Sequence, residues 1–246
     1  MKLSVIIPAY NEEERLPNTL HKAYAWLQKN HADNFEIIVV DDGSSDHTCH
    51  HVQNMMQDMP ELRLIEQVEN QGKGAAVRCG MLAAQADVHL FMDADHSTHI
   101  REVAKVFQIL DTQNDVDVVI ASRQHPDSDI SEHQSWLREH MGKIFNLLMR
   151  LSTGIDMPDT QCGFKAMRKQ ASHAIFSRQK LDGFSFDVEM LFLAQKLGYN
   201  TAEIPVQWVN EPNSKVRMLI DPLKMFADIL RIRRLHQYSG PQFSDR

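Results

Sequence analysis

The chain has 246 residues, 43% of them hydrophobic and 24% charged, with 26 Lys plus Arg against 33 Asp plus Glu and a net charge of −7. Those proportions describe a globular chain and exclude disorder and fibrous architectures; the acidic balance also counts against a general nucleic-acid binder, which normally carries a basic surplus. No apolar run reaches the roughly 18–20 residues that span a bilayer, and MKLSVIIPAYNEEE is no signal peptide.

Cys49, Cys79 and Cys162 are odd in number and far apart, without CxxC spacing. They imply free thiols in a reducing compartment, and so a cytoplasmic protein. LSVIIP (3–8) reads as a strand ending in a turn, and residues 11–29 as an amphipathic helix opened by acids. FEIIVVDD (35–42) is a second strand whose unbroken run from Ile37 to Val40 suggests burial on both faces. GSSDHT follows, with Ser45 or Asp46 suited to cap the next helix. RLIEQVE (63–69) reads as an edge-like strand, and residues 72–86 as an Ala-rich helix opened by two glycines. VHLFMDAD (88–95) and DVVIASR (117–123) are the fourth and fifth strands. This β-α-β spacing predicts an α/β fold with a mostly parallel central sheet, right-handed crossovers and helices on both faces.

The second half is less regular. Residues 132–151 read as a long helix, TGIDMPDTQCGF as a loop, 186–197 as a helix and 202–209 as a strand. The segment 221–235 is a helix with an apolar stripe at Leu223, Phe226, Ile229, Leu230 and Ile232, expected to pack on the sheet. Its Arg231, Arg233 and Arg234 also suit an interfacial helix on anionic headgroups. No repeat or linker interrupts the chain, which predicts a single domain.

Ligands of open parallel sheets bind beyond the carboxyl ends of the strands. Four of the first five strands end there in polar sequence: PAYNE (8–12), DDGSSD (41–46), DADHS (93–97) and SR (122–123). Asp93 and Asp95 share a face in extended backbone and suit one hard cation, Mg²⁺ or Mn²⁺ rather than zinc. Taken alone, DxD is more often a polar turn. His96 and His99 are expected to be solvated or capping rather than ligands. Asn70-Gln71-Gly72-Lys73-Gly74 opens a helix where glycines allow close approach, amide donors favour an anion, and Lys73 adds charge. It has neither P-loop nor GxGxxG spacing. Asp41 and Asp42 can accept hydrogen bonds from a nucleobase or ribose, although either is by itself an ordinary turn former.

In this order, VIIPAYNEEERL, VVDDGSSDHT, NQGKGAAVRCG, DADHST, ASR and DTQCGFKAM resemble glycosyltransferase family 2, across residues 5–168. EIPVQWVNEPNSKVR matches more weakly. DTQCGFK and NEPNSKVR are most similar to the polyprenyl-phosphate branch, and DTQCGF is closer to its glucosyl-transferring than its mannosyl-transferring members. The resemblance implies a glycosyltransferase-A fold, with a nucleotide-sugar half at 1–123, an acceptor half at 124–220 and a C-terminal helix and tail at 221–246. It implies that Pro8, Ala9, Tyr10, Asn11 and Glu12 line the base and ribose, with Asp41 and Asp42 holding the nucleoside. Lys73 would approach the diphosphate; Asp93, Ala94 and Asp95 would form the motif whose two carboxylates hold Mg²⁺ or Mn²⁺. Arg123 and Arg138 would receive the acceptor phosphate, with Gln161 and Lys165 nearby, and Lys215 and Arg217 would close over the phosphates. The branch usually has Gly where this chain has His96, and Gly near Pro212-Asn213. Membrane spans common among relatives are missing from the sequence, so contact with a membrane would be peripheral, on the inner face of the cytoplasmic membrane.

The implied reaction is inverting transfer of a sugar, glucose from UDP-glucose by preference, to a polyprenyl phosphate. Positive charge at Asp93/Asp95, Lys73, Lys215 and Arg217 would stabilise the departing diphosphate. A phosphate monoester, with a second pKa of about 6, is already a nucleophile at pH 7. A hydroxyl acceptor would need a base, and Asp159 is the best-placed carboxylate; otherwise Asp159 positions substrate. Cys162 reads as a packing residue. Nucleotidyl transfer and nucleotide-sugar binding without turnover are the rival readings.

Overall fold

The computed structural model describes residues 1–32, 34–130, 149, 152–209 and 221–237. Nine strands occur among them: β1 (Leu3–Ala9), β2 (Phe35–Asp41), β3 (Leu62–Glu66), β4 (Val88–Met92), β5 (Val116–Ser122), β6 (Asp129–Ile130), β7 (Phe164–Arg168), β8 (Asn200–Pro205) and β9 (Gln207–Trp208). The helices are α1 (Leu16–His31), α2 (Thr48–Met55), α3 (Lys73–Ala83), α4 (Val103–Thr112), α5 (Lys169–Phe176), α6 (Phe186–Lys196) and α7 (Asp221–Leu235). Seven strands form one sheet in the order β3-β2-β1-β4-β7-β5-β8, and β6 pairs with β9. Neighbours in the large sheet run parallel except β7, which is antiparallel to both β4 and β5.

The continuous apolar runs are buried on both faces, as a covered parallel sheet requires. Leu3, Val5, Ile7, Ile37 and Val39 meet Leu16, Leu20 and Leu27 of α1 and Val103, Val106 and Leu110 of α4. Ile6, Ile38, Val40 and Phe91 point the other way, into a second cluster with residues of α3, α5, α6 and α7. β1 has β2 on one side and β4 on the other. Chain order therefore reverses between β1 and β4, and the crevice beyond their carboxyl ends is the expected ligand position.

The structure departs from the sequence reading at several places. The first helix starts at Leu16, because the Glu12 carbonyl takes the amides of Arg15 and Leu16 in a turn. Asp46 does serve the start of α2: its Oδ1 accepts from the Thr48 amide at 2.9 Å. β7 and α5 were not anticipated, and the strand expected over 202–209 divides into β8 and β9 at Val206. In α7 the buried residues are Met225, Ile229 and Ile232, whereas Phe226 and Leu230 are exposed. The expectation that Phe226 and Leu230 pack on the sheet is therefore corrected. Met225 and Ile232, with His236 one turn further, occupy that side of the helix instead. The long helix expected over 132–151 lies almost wholly outside the described residues.

Candidate active site

The ends of β1 and β2 are tied together before any ligand is considered. The Asp42 amide donates to the Ala9 carbonyl at 2.8 Å, and Pro8 and Ala9 stand in register with Val40 and Asp41. Asn11 adopts φ 54°, in the left-handed region that Asn tolerates better than most residues. Its Oδ1 accepts from the Ser45 amide and its own amide donates to Ser44 Oγ, both at 2.8 Å. The Glu12 amide donates to Thr48 Oγ1 at 2.8 Å, and its buried carboxylate takes the Arg15 guanidinium. Asn11 and Glu12 thus brace the rim, while Tyr10 is 40% exposed on it. Asp41 accepts from the Ser44 amide at 2.9 Å. Burial, then the neighbouring Asp41 carboxylate, push the Cys49 thiol up to about 12, which leaves it protonated and inert.

Asp42 shapes the glycine-containing turn. Its carboxylate accepts from the Gln71 amide at 2.8 Å and from the Gly72 amide and Asn70 Nδ2 at 2.9 Å. The Ala75 amide is taken by the Asp182 carbonyl. The Gln71, Gly72 and Ala75 amides are thus committed within the protein, and the glycines have a packing role as well. Gly72 has φ 109°, and a Cβ there would lie 2.5 Å from the Asp182 carbonyl oxygen; one on Gly74 would lie 2.6 Å from that of Leu181.

What the turn does deliver is Lys73. Its ammonium lies 2.5 Å from Asp93 Oδ1. Burial opposes the charge, but Asp93, Asp187 and Asp95 overcome it and raise the Lys73 pKa, so the ammonium persists. Asp93 follows β4, and its amide donates to the Gly163 carbonyl at 3.0 Å. Gly163 lies so close that an added Cβ would be 2.0 Å from Asp93 Oδ2. Asp95 Oδ1 accepts from the Ser97 amide at 3.0 Å. Between the two acids, Ala94 is buried, and its carbonyl accepts from Thr19 Oγ1 at 2.7 Å. His96, at φ 60°, packs against His99, their centroids 4.7 Å apart. His99 Nδ1 accepts from the Arg101 amide at 3.1 Å, the capping role expected of it.

Arg123 leaves the end of β5 and grips Asp159 from three donors. Nε and the backbone amide meet Asp159 Oδ2 at 2.7 and 2.9 Å, and Nη2 meets Oδ1 at 2.8 Å. Burial alone would push the Asp159 carboxyl up; the Arg123 charge and hydrogen bonds outweigh it and hold it at about 2. Gln161 donates its amide to Asp159 at 3.2 Å. Arg123 also lies 5.5 Å from the Trp208 ring and feels the Asp93 carboxylate. Lys165, on β7 between β4 and β5, is fully buried. Its ammonium donates to the Cys162 carbonyl at 2.7 Å and pairs with Asp187 in the first turn of α6. It therefore supports the site from inside and does not face the crevice. Arg138, Lys215 and Arg217 lie outside the described residues.

Asp187 and Trp208 went unnoticed in the sequence. Asp187 had a signal: FDVEMLFLA places acids inside an apolar helix, where a charge needs a partner. The chemistry of Asp93 and Asp95 fits Mg²⁺ or Mn²⁺: carboxylate oxygens leave one strand end, and glycine at 163 leaves room beside Asp93. Among the described residues no group of three or more His, Cys, Asp or Glu is arranged around a metal. A site of two carboxylates completed by substrate phosphates is the usual arrangement for Mg²⁺.

A mostly parallel sheet with one inserted antiparallel strand, an acidic pair beyond β4 and cations on either side of it define an enzyme that handles a nucleotide-linked substrate. Residues 4–176 match the glycosyl transferase family 2 domain, and the chain belongs to that family. It is a glycosyltransferase using a nucleotide-sugar donor, built on the glycosyltransferase-A fold. It is 37% identical over 240 residues to dolichyl-phosphate beta-glucosyltransferase of Dictyostelium discoideum, covering 94% of this chain and 73% of that protein. The human protein of the same name is 35% identical over 242 residues, covering 94% of this chain and 75% of its own length. Among solved structures, Mycobacterium tuberculosis glucosyl-3-phosphoglycerate synthase superposes with a TM-score of 0.69 at 19% identity, covering 98% of this chain and 82% of that one. The same enzyme with Mn²⁺, UDP-glucose and phosphoglyceric acid gives 0.68, with 98% and 81% covered. At that identity the likeness concerns the fold.

Proposed function

We propose that the chain transfers glucose from UDP-glucose to a polyprenyl phosphate, with inversion and with Mg²⁺ or Mn²⁺ held by Asp93 and Asp95. The relatives named dolichyl-phosphate beta-glucosyltransferase support both the sugar and the acceptor class. One observation in the site favours a phosphate over a hydroxyl acceptor. Asp159, the best candidate for a general base, is locked against Arg123 and held at about 2. A carboxylate so acidic is a poor proton acceptor at pH 7. A phosphate monoester has a second pKa of about 6 and needs no base.

In this reading Asp159 is a positioning residue: it fixes the guanidinium of Arg123, which receives the acceptor phosphate. Lys73 stands on the donor side, where charge grows on the leaving diphosphate. A bound divalent cation supplies further positive charge to that diphosphate. Asp41, Asp42 and Tyr10 form the nucleoside rim, and Lys165 with Asp187 keeps the floor between β4 and β5 rigid. A polyprenyl phosphate resides in a membrane, so the chain would act peripherally, at the inner face of the cytoplasmic membrane.

The test is transfer of radiolabelled sugar from UDP-glucose, and in parallel GDP-mannose, into undecaprenyl phosphate with Mg²⁺ or Mn²⁺. Lipid-linked glucose is expected, lost on chelation and at least about a hundredfold lower in Asp95→Ala. Product from GDP-mannose alone would overturn the sugar assignment. No lipid product from either donor, with the protein folded, would overturn the acceptor.

A further inference from the structure

We propose that Trp208 is a positioning residue for the acceptor: its ring restrains the guanidinium of Arg123, and the strand that carries it fastens that guanidinium to the loop after Asp95. The inference rests on the reading above, in which Arg123 receives the acceptor phosphate.

A guanidinium carries about five N–H donors in one plane. In Arg123 the Nε donor and one on Nη2 go to the Asp159 carboxylate. The donors left on the Nη1–Nη2 side have no partner among the described residues. That edge matches two oxygens of a phosphate. Paired hydrogen bonds to one carboxylate fix an edge of the group, but they leave it free to swing about the line that joins them. Trp208 closes that freedom. The Arg123 Cζ lies over its ring, 5.5 Å from the centroid and within cation–π range.

The ring itself cannot retreat. Trp208 is 8% exposed and belongs to the buried cluster that holds Val206, with Ile130 packed against that cluster. An indole is also the strongest aromatic partner for a cation. Asp159 and Trp208 therefore hold Arg123 from two directions, and its remaining edge is presented to a ligand in one orientation.

β9 is only two residues long, so its position comes from what it is tied to. Upstream, the Val206 amide donates to Ser128 Oγ at 2.9 Å. Ser128 Oγ donates in turn to the carbonyl of Ser122, the residue before Arg123, at 2.6 Å. Downstream, the Val209 amide donates to the Ser97 carbonyl at 3.0 Å, and Thr98 bridges Trp208 in antiparallel fashion. The Ser97 amide donates to Asp95 Oδ1 at 3.0 Å. One strand thus fastens the end of β5 to the loop of the acidic pair. A phosphate seated on Arg123 is thereby held in register with a donor at Asp93 and Asp95. Direct attack needs that register, because the reacting atoms must approach to about 3–3.5 Å.

The experiment is calorimetric titration of the full chain with farnesyl phosphate, a soluble prenyl phosphate monoester, and separately with UDP-glucose plus Mn²⁺. Wild type, Trp208→Met and Trp208→Phe are compared. Methionine fills the core without an aromatic face, whereas phenylalanine keeps one. Trp208→Met is expected to weaken farnesyl phosphate about tenfold, and Trp208→Phe to recover it to within about threefold of wild type. UDP-glucose affinity is expected to stay within about twofold in both, because the backbone ties to Ser97 do not depend on the side chain. Equal affinity of the Met and Phe variants for farnesyl phosphate, or equal losses for both ligands, would assign Trp208 to packing alone and overturn the proposal. Should Trp208→Met prove unstable, tryptophan emission decides. Farnesyl phosphate is expected to change the share of wild-type emission that Trp208→Phe removes, and no change in that share overturns the proposal. Lipid product and farnesyl phosphate binding at wild-type affinity in Trp208→Met would remove Trp208 and leave the acceptor reading standing. Wild type that neither binds farnesyl phosphate nor makes lipid product overturns the acceptor reading and the inference with it.

Discussion

Gly163 constrains Asp93, one of the two carboxylates proposed to hold the cation, more directly than any carboxylate neighbour does. A Cβ at this position would sit 2.0 Å from Asp93 Oδ2 and 2.3 Å from its Cγ. The backbone cannot easily retreat, because the Gly163 carbonyl accepts the Asp93 amide. Gly163→Ala must therefore push the Asp93 carboxylate aside. Overpacking of this kind costs about 1–3 kcal/mol, and if Asp93 holds the cation as proposed, Mn²⁺ affinity should fall by about tenfold or more. Electron paramagnetic resonance titration of Mn²⁺ measures it; unchanged affinity would show that Asp93 is not a ligand. His96 illustrates a different residue-scale effect. At φ 60° an L-residue is strained, and a glycine at this position would be free of that strain.

At the scale of elements, β7 is inserted antiparallel between β4 and β5, and it is where the sequence was least legible. FKAMR is short, follows a loop-like segment and carries charge at both Lys165 and Arg168, so no apolar run marks it. Its lysine is fully buried only because α6, a separate element, supplies Asp187. The rim was legible for the opposite reason. Acids directly after the apolar runs of β2 and β4 stand out locally, and strand ends share one side of a parallel sheet. The pairings across that rim were not legible, because Arg123 and Asp159 are 36 residues apart and nothing local specifies their contact. The glycines of the Asn70–Gly74 turn have no single reading in the sequence, because close approach to protein backbone and to phosphate leave the same signature. The β7–α6 pair gives a testable energy. Lys165→Met leaves Asp187 buried without its partner, which costs about 3–5 kcal/mol. Adding Asp187→Leu should recover much of that loss. Urea unfolding of the two single variants and the double measures it, and simple additivity would sink the pairing.

For the whole molecule, the buried histidines set the acid limit of stability. Burial lowers the pKa of His31, His89, His96 and His99, taking His89 and His96 down to about 4. A base with a depressed pKa binds its proton less readily in the folded chain than in the unfolded one. Its contribution to stability is therefore present above the unfolded value of 6.5 and is lost as pH falls from there towards 4. His89 is the firmest case: it is fully buried, with its ring nitrogens against Ser172 Oγ at 2.9 Å and the Ala86 carbonyl at 3.1 Å. By pH 4 it alone should cost about 3 kcal/mol, a large part of a typical domain's stability. The Asp159–Arg123 pair adds little in this window, since that carboxyl titrates near 2. The midpoint of urea unfolding should thus fall steeply between pH 6.5 and 4.5, and less steeply in His89→Gln. A phosphate acceptor loses its second charge near pH 6, so transfer would also fade in this range. The two causes separate: unfolding is cooperative and relieved by His89→Gln, whereas loss of the dianion follows a single proton and is the same in both proteins. Identical pH dependence of the urea midpoint in wild type and His89→Gln would remove His89 from the account.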